Sequence, residues 1–439
     1  MYIDFLKRLL QTVLLLLPAL CAAAPADTSG APFNLAWHGF VNPHLWFDSR
    51  QALYGREEMM LFYPLPVTPD ADGNDLNGEP LLRMLSITAR LNLSIQGPTM
   101  LGARTRGYIE ADFTGSPGVA SNSMRLRHAY ILFSWRNNAL LAGQFWHPMV
   151  AHEVMPGTNP LNMGAPFHPY ALYNQLRFTQ RLGKVEALAV AAFQLDNKSQ
   201  GPNATTHIPS STLQSTRFHS RSLVPETNLQ LRYCGERLLL GAAANMLALK
   251  PRDYVLDTTG GKHLSNKRFA AFSYTLFGRY EAHGWTLKAQ TLLNDNLYEC
   301  STLGGYIETM TLLPQNGKPA QYSYSYKNWS YTTAWADLCR SRGMWRPGLF
   351  VGFAKNNDFG ETVNPDHAAA YGRGFEIETL CRIQPRLVFQ TPNGLALQAE
   401  MEYTVARYGK YDAASHAYLH DPNGRADVMR LSLGATYFF

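Results

Sequence analysis

The sequence predicts an all-β chain, closed into an antiparallel transmembrane barrel of about sixteen strands with short turns at one end and long loops at the other. Three observations lead there. Run after run alternates apolar and polar residues with period two, the pattern of a strand with one face in lipid and one in water. After the first twenty-six residues no run of eighteen apolar residues offers a membrane helix. The connections alternate largely between tight turns and long loops, the layout of a barrel that must close because unpaired strand edges are intolerable in hydrocarbon.

Taken in order, Lys7 and Arg8 precede the apolar run "LLQTVLLLLPALCAAA", and small residues follow. This is the pattern of a cleaved secretory signal, and residues 1–26 are assigned to it. Residues 27–439 then form one barrel domain. Its clearest strand is "LSITARLNLSIQG": Leu85, Ile87, Ala89, Leu91, Leu93 and Ile95 share one face, and Ser86, Thr88, Arg90, Asn92, Ser94 and Gln96 the other. Twelve residues of unbroken alternation exceed the usual strand of a globular sheet and suit a tilted membrane strand of about ten residues. "ARTRGYIEADFTG" repeats the design, and similar runs continue to the final "LSLGATYFF". There Leu431, Leu433, Ala435 and Tyr437 alternate with Arg430, Ser432, Gly434 and Thr436. Tight turns such as "QGPTM", "RNN", "LGK", "CGE", "AHG" and "TPNG" carry the Gly, Asn and Pro chemistry of hairpins. The long loops span 50–83, 147–170, 197–223, 295–327 and 409–426.

Composition narrows the chemistry. Only 16% of residues are charged and 12% are aromatic, as in a barrel with unlike faces. The net charge of +6 comes without any Lys/Arg run, so no nucleic-acid partner is expected. Cys234, Cys300, Cys339 and Cys381 lack C-x-x-C spacing, and His147, His152, Glu153 and His168 lack the spacing of a metal helix. No metal or cofactor is expected. "PDADGNDLNGE" imitates a calcium loop, but Asp75 stands where the turn glycine belongs and no Glu closes it.

The chain resembles Gram-negative outer-membrane porins, and most of all the DcaP-like and phosphate-type porins of Proteobacteria and Bacteroidetes. The residues carrying the resemblance are "ARTRGYIEADFTG", "RLRHAYILFSW", "LLAGQFWHPM" and "GAPFHPYALYNQLRFTQ". It implies residence in outer-membrane lipid, assembly by the barrel-assembly machinery with Tyr437 and Phe439 as its signal, and passive diffusion of small hydrophilic solutes. It also implies a homotrimer, although the second external loop, near "GSPGVAS", is short for a latch between subunits. The loop at 147–170, with His147, His152, Glu153, Asn159, Asn162 and His168, is similar to the porin loop that folds inward as a constriction.

Sorting strands by their polar face gives a basic ladder of Arg90, Arg104, Arg106, Arg125, Arg127, Arg177, Arg181, Arg382 and Arg386, together with Arg232, Arg279, Lys288 and Arg430. The acidic positions are Glu110, Asp112, Glu186, Glu226, Glu281, Glu400 and Glu402. A ladder facing a smaller acidic patch would favour anionic solutes such as carboxylates, because a guanidinium binds them without losing charge. The simpler alternative is that the arginines solvate the wall and pair with Glu110 or Asp112. Two other barrel classes share the layout, a lipase- or protease-type enzyme and an adhesion or polysaccharide-binding barrel. No G-x-S-x-G motif marks the first.

Overall fold

The computed structural model describes residues 33–115, 122–158, 162–203, 212–364 and 367–439. The proposed signal at 1–26, Asn159 and most of the short loop at 115–121 lie outside these residues. Sixteen antiparallel strands close into one barrel. In chain order they are β1 (Asn34–Val41, resuming as His44–Asp48), β2 (Leu81–Leu85, resuming as Arg90–Gln96), β3 (Arg104–Asp112), β4 (Arg125–Ser134) and β5 (Asn138–Trp146). Next come β6 (Leu172–Leu182), β7 (Val185–Phe193), β8 (Glu226–Cys234), β9 (Leu238–Leu249), β10 (Phe269–Ala282) and β11 (Trp285–Asp295). The last are β12 (Lys318–Arg340), β13 (Trp345–Asn356), β14 (Ile377–Gln390), β15 (Leu395–Asp412) and β16 (Ala417–Phe438). Each pairs with its neighbour in sequence, and β16 returns to β1 through Phe438 opposite Phe40 and Leu433 opposite Leu45. The seam continues past β16, where Phe439 and Gly39 exchange both backbone hydrogen bonds, at 3.1 and 3.0 Å.

The period-two pattern decides which way each side chain points. On β16, Leu431, Leu433 and Tyr437 are exposed on the outer face, whereas Arg430 and Ser432 are buried inward. A belt of exposed Leu, Ile, Phe, Trp and Tyr covers the outside of the other strands, including Leu91, Ile109, Leu231, Leu276, Trp285 and Leu387. Such a surface is stable only against hydrocarbon.

One expectation is corrected. The alternation over 85–96 is not a single strand: residues 86–89 form a turn, with Ala89 N donating to Ser86 O at 3.1 Å. Ile87 therefore packs into the interior with Trp46 and Tyr63 instead of facing lipid. The adjacent strand breaks at the same level, where Pro43 has no N–H to give the ladder, and Thr88 Oγ1 donates across to Asn42 O at 3.4 Å.

Candidate functional site

Two segments leave the wall and fill part of the barrel interior. The first, described over 147–158 and 162–171, is closed at its neck by His147 N donating to Ala171 O. It leaves β5, where His147 Nε2 donates to Glu226 Oε1 of β8 at 2.8 Å. Further on, Gly157 N donates to Asp337 Oδ2 of β12 at 2.8 Å, and Asn162 Nδ2 reaches Glu402 of β15. The Phe167 carbonyl accepts from Thr333 of β12, and the His168 ring lies 2.8 Å from Gln290 Oε1 of β11. Burial holds His168 down to about 3, so it stays neutral. The second segment is a hairpin, Ala52–Gly55 with Met60–Pro64, whose Met60, Phe62 and Tyr63 join the same apolar cluster as Val150, Val154 and Phe167. The apolar run "MMLFYP" inside the long loop 50–83 was its signal in the sequence.

Most inward arginines are occupied. On β3 and β4 a β-bulge opposite Glu110 and Ala111 adds one residue, so Arg127 and His128 are both buried. Arg127 Nε donates to Glu110 Oε1 at 2.8 Å and its Nη1 to Asp112 Oδ2 at 3.1 Å. Arg125 grips both Asp112 oxygens at 3.2 and 2.9 Å and reaches Asp196, which also pairs with Arg56. Arg90 stands 3.5 Å from Glu110. Glu110 and Asp112 thus lie beside the arginines on one wall, not across the lumen from them. The hydroxyl of Tyr170 accepts from Arg127 at 2.7 Å and from Arg125 at 3.5 Å. Burial raises its affinity for its proton, but Arg127, Arg125 and Arg56 together pull it down to about 7.

A second group pins the infolded segments. Arg382 donates to the carbonyls of Ala165, Leu61 and Phe62 and pairs with Glu402 at 2.9 Å. Arg430 grips Asp48 with both arms and donates to Met59 O and Glu58 O. Arg386 holds Asp337 through bonds of 2.6 and 3.0 Å. Glu400 accepts from Gln384 at 2.8 Å.

The wall of β6, β8, β10 and β11 differs. Arg177 donates to Gln175 Oε1 and Trp146 O, and Lys288 Nζ to Met155 O at 2.7 Å, all neutral acceptors. Lys288 faces Asp337 across the strand pair, but Arg386 already holds both oxygens of that carboxylate. Arg232 shares Glu153 with His152, and Arg279 pairs with Glu281 at 3.1 Å while donating to Glu153 O. Together with Arg386, the five cations stand against the four carboxylates Glu153, Glu226, Glu281 and Asp337. Nearer the turn end, Arg104 is exposed, Arg106 is exposed with Ser94 Oγ at 3.1 Å, and Arg181 pairs with Glu186 at 2.8 Å. Above the hairpin a polar cavity of about 590 Å³ is lined by Arg56, Lys198, Tyr298, Glu299 and Arg373, among others. Burial, then the neighbouring Glu226, pushes the Glu299 carboxyl well above the usual carboxylate range.

No family model and no curated protein matches the sequence. Solved structures do. The outer-membrane channel DcaP of Acinetobacter baumannii superposes with a TM-score of 0.62 over 95% of this chain and 100% of its own, at 15% identity. The fold is that of an outer-membrane porin. The anion-selective porin of Comamonas acidovorans gives a TM-score of 0.51 at 11% identity, covering 93% of this chain and 100% of its own. OmpT of Vibrio cholerae, an outer-membrane protein folded in vitro and seen in trimer form, gives 0.51 at 9% identity, over 93% of this chain and 100% of its own.

Within this porin fold, sequence reasoning located the wall charges but missed Arg56, Asp48, Asp196, Asp337 and Tyr170. Asp48 and Asp337 sat in strands with the right parity. Arg56, Asp196 and Tyr170 come from loops, where no periodicity marks direction. Among the described residues no group of three or more His, Cys, Asp or Glu side chains is placed to hold a metal. Asp70 instead accepts from Asp72 N, Asn74 N and Asn74 Nδ2 within its own turn.

Proposed function

We propose that this chain is a passive, water-filled channel of the bacterial outer membrane that favours small anions, carboxylates among them. The observation that carries the reading is a pair of cations on the β6–β11 wall, Arg177 and Lys288, whose side-chain hydrogen bonds all go to neutral acceptors. Arg177 is buried and Lys288 half-buried, so their field, rather than direct contact, acts on small solutes passing there. Charge rings of one sign in a narrow passage select the opposite ion. In this reading 147–171 is the constriction, no cofactor or turnover is needed, and Arg104 and Arg106 extend the cationic path toward the short-turn mouth.

The anion selectivity of the Comamonas porin and the trimer form of the Vibrio protein support extending both properties to this chain. The seam between Gly39 and Phe439 supports a role for the last strand in closure, with Tyr437 and Phe439 presented to the assembly machinery.

The test is conductance of the refolded protein in a planar bilayer, with the reversal potential under a salt gradient. Stable ohmic steps with an anion-directed reversal are expected. A cation-directed reversal would remove the charge assignment. Silence from a correctly folded barrel would remove the channel, moving the weight to an enzyme or an adhesion barrel.

A further inference from the structure

The lipid-facing surface is uneven. On β9 the outward residues Ala242 and Ala244 sit between Leu231 and Leu229 of β8 and Leu276 and Tyr274 of β10. Small side chains between large ones leave a hollow of about 660 Å³ on the outside of the barrel.

The same two strands end in cations. The β9–β10 register pairs Ala248 with Ala270 and Leu249 with Phe269. The next residues along it are Lys250 and Arg268, and both continue the outward parity of Ala244 and Tyr274. Arg268 donates to Ser222 O at 3.1 Å and Asn266 O at 3.2 Å, and neither acceptor is charged. Arg221 and Lys250 share a single carboxylate, Asp253, the latter at 3.6 Å. Arg217 lies one helical turn before Arg221 in Arg217–Ser220 and its C-cap. Four cations therefore stand against one carboxylate. Partial burial, then Arg268 and Arg221, lower the proton affinity of Lys250, the expected result of like charges held together.

Distance ties the two features together. Lys250 is six residues beyond Ala244, about 20 Å along a strand. At a tilt of roughly 40° that is about 15 Å of height, or half of a hydrocarbon core about 30 Å thick. With the cations at the outer headgroup level, the hollow lies near mid-membrane, a separation that an acyl chain running down the outer leaflet covers.

We propose that this surface binds a phosphorylated lipid of the outer leaflet, an acyl chain in the Ala242–Ala244 hollow and a phosphate between Lys250 and Arg268. The inference rests on the chain being an outer-membrane barrel. Guanidinium and ammonium groups both bind phosphate oxygens, and the guanidinium does so with two parallel bonds. The charge excess selects a phosphate-bearing lipid over a neutral one, and the hollow selects a lipid over free phosphate.

The test is native mass spectrometry of the detergent-purified full chain with diphosphoryl lipid A, its dephosphorylated form, or inorganic phosphate. The wild type should retain the diphosphoryl form at least roughly tenfold better than the dephosphorylated one, since each cation near an anionic headgroup contributes about fivefold. The double variant Lys250→Gln/Arg268→Gln and the groove-filling Ala244→Trp should each lose that retention. Equal retention of both lipids, or unchanged retention in either variant, would overturn the proposal. So would inorganic phosphate binding that Ala244→Trp leaves intact, or a changed oligomeric state in Ala244→Trp, which would assign the hollow to a second copy. Conductance of the same variants in bilayers reports separately on the channel, so loss of lipid with conductance kept leaves that reading untouched.

Discussion

Two walls of one barrel use arginine in opposite ways. On β3–β4, Arg125 and Arg127 are buried among Glu110, Asp112, Asp196 and Tyr170, and Asp112 serves two guanidiniums at once. On β6–β11, Arg177 and Lys288 spend their donors on carbonyls and an amide of neutral groups. Net charge does not separate them: Arg56, Arg90, Arg125 and Arg127 stand against Glu110, Asp112 and Asp196, and five cations stand against four carboxylates opposite. The difference in pairing is large. A charge held by a fixed counter-charge is structural, and one held by a carbonyl dipole keeps most of its field for a passing ion. The lesson is that an inward arginine has no function until its partner is known.

The comparison breaks first at Asp112. Replacing Asp112 with Asn leaves two buried guanidiniums short of a counter-charge and should cost about 3–5 kcal/mol. The readout is a lower temperature for the heat-induced mobility shift of the folded barrel, with ion selectivity little changed. An unchanged transition temperature would mean the knot is wet and carries no stability.

The opposite wall should respond in the opposite sense. Arg177→Gln with Lys288→Gln should leave the transition temperature within about 1–2 kcal/mol of the wild type, the worth of the hydrogen bonds removed. Its reversal potential should move toward cations by about a factor of five in permeability ratio per charge removed, the worth of a unit charge near 4 Å in water. Unchanged selectivity in that variant would show that this wall does not line the passage.

The smallest effect sharpens the comparison at Tyr170. Its folded pKa of about 7 lies below the ordinary value of 10. Between these limits the folded state binds fewer protons than the unfolded one, so stability rises with pH from about 7 to 10 and is lost again as pH falls through 7. Transition temperatures measured across that window should climb in the wild type and lie flatter in Tyr170→Phe. Parallel profiles would mean that Arg125 and Arg127 do not act on this hydroxyl.

The sequence by itself determined the barrel. Period-two runs such as Arg90–Gln96 and Arg430–Thr436 state which residue faces lipid, because in a strand direction follows from parity alone. Alternating turn lengths then fixed the order of strands, and all sixteen strands of the structure answer to runs in the sequence. Parity also put Arg125, Arg127, Arg177 and Arg386 inside. Only the tertiary structure decided what each one meets. Parity failed at residues 86–89, where a turn sends Ile87 inward, and at the bulge that buries both Arg127 and His128. Loops carry no period, so only the apolar run around Met60 hinted at an infolded segment, and nothing local announced that Tyr170 folds into the interior or that Asp196 comes from a distant loop to meet Arg125. Asp196 and Arg125 are 71 positions apart, and Arg430 and Met59 are 371 apart; a pairing of that range is fixed by closure of the barrel, which no short stretch of sequence contains.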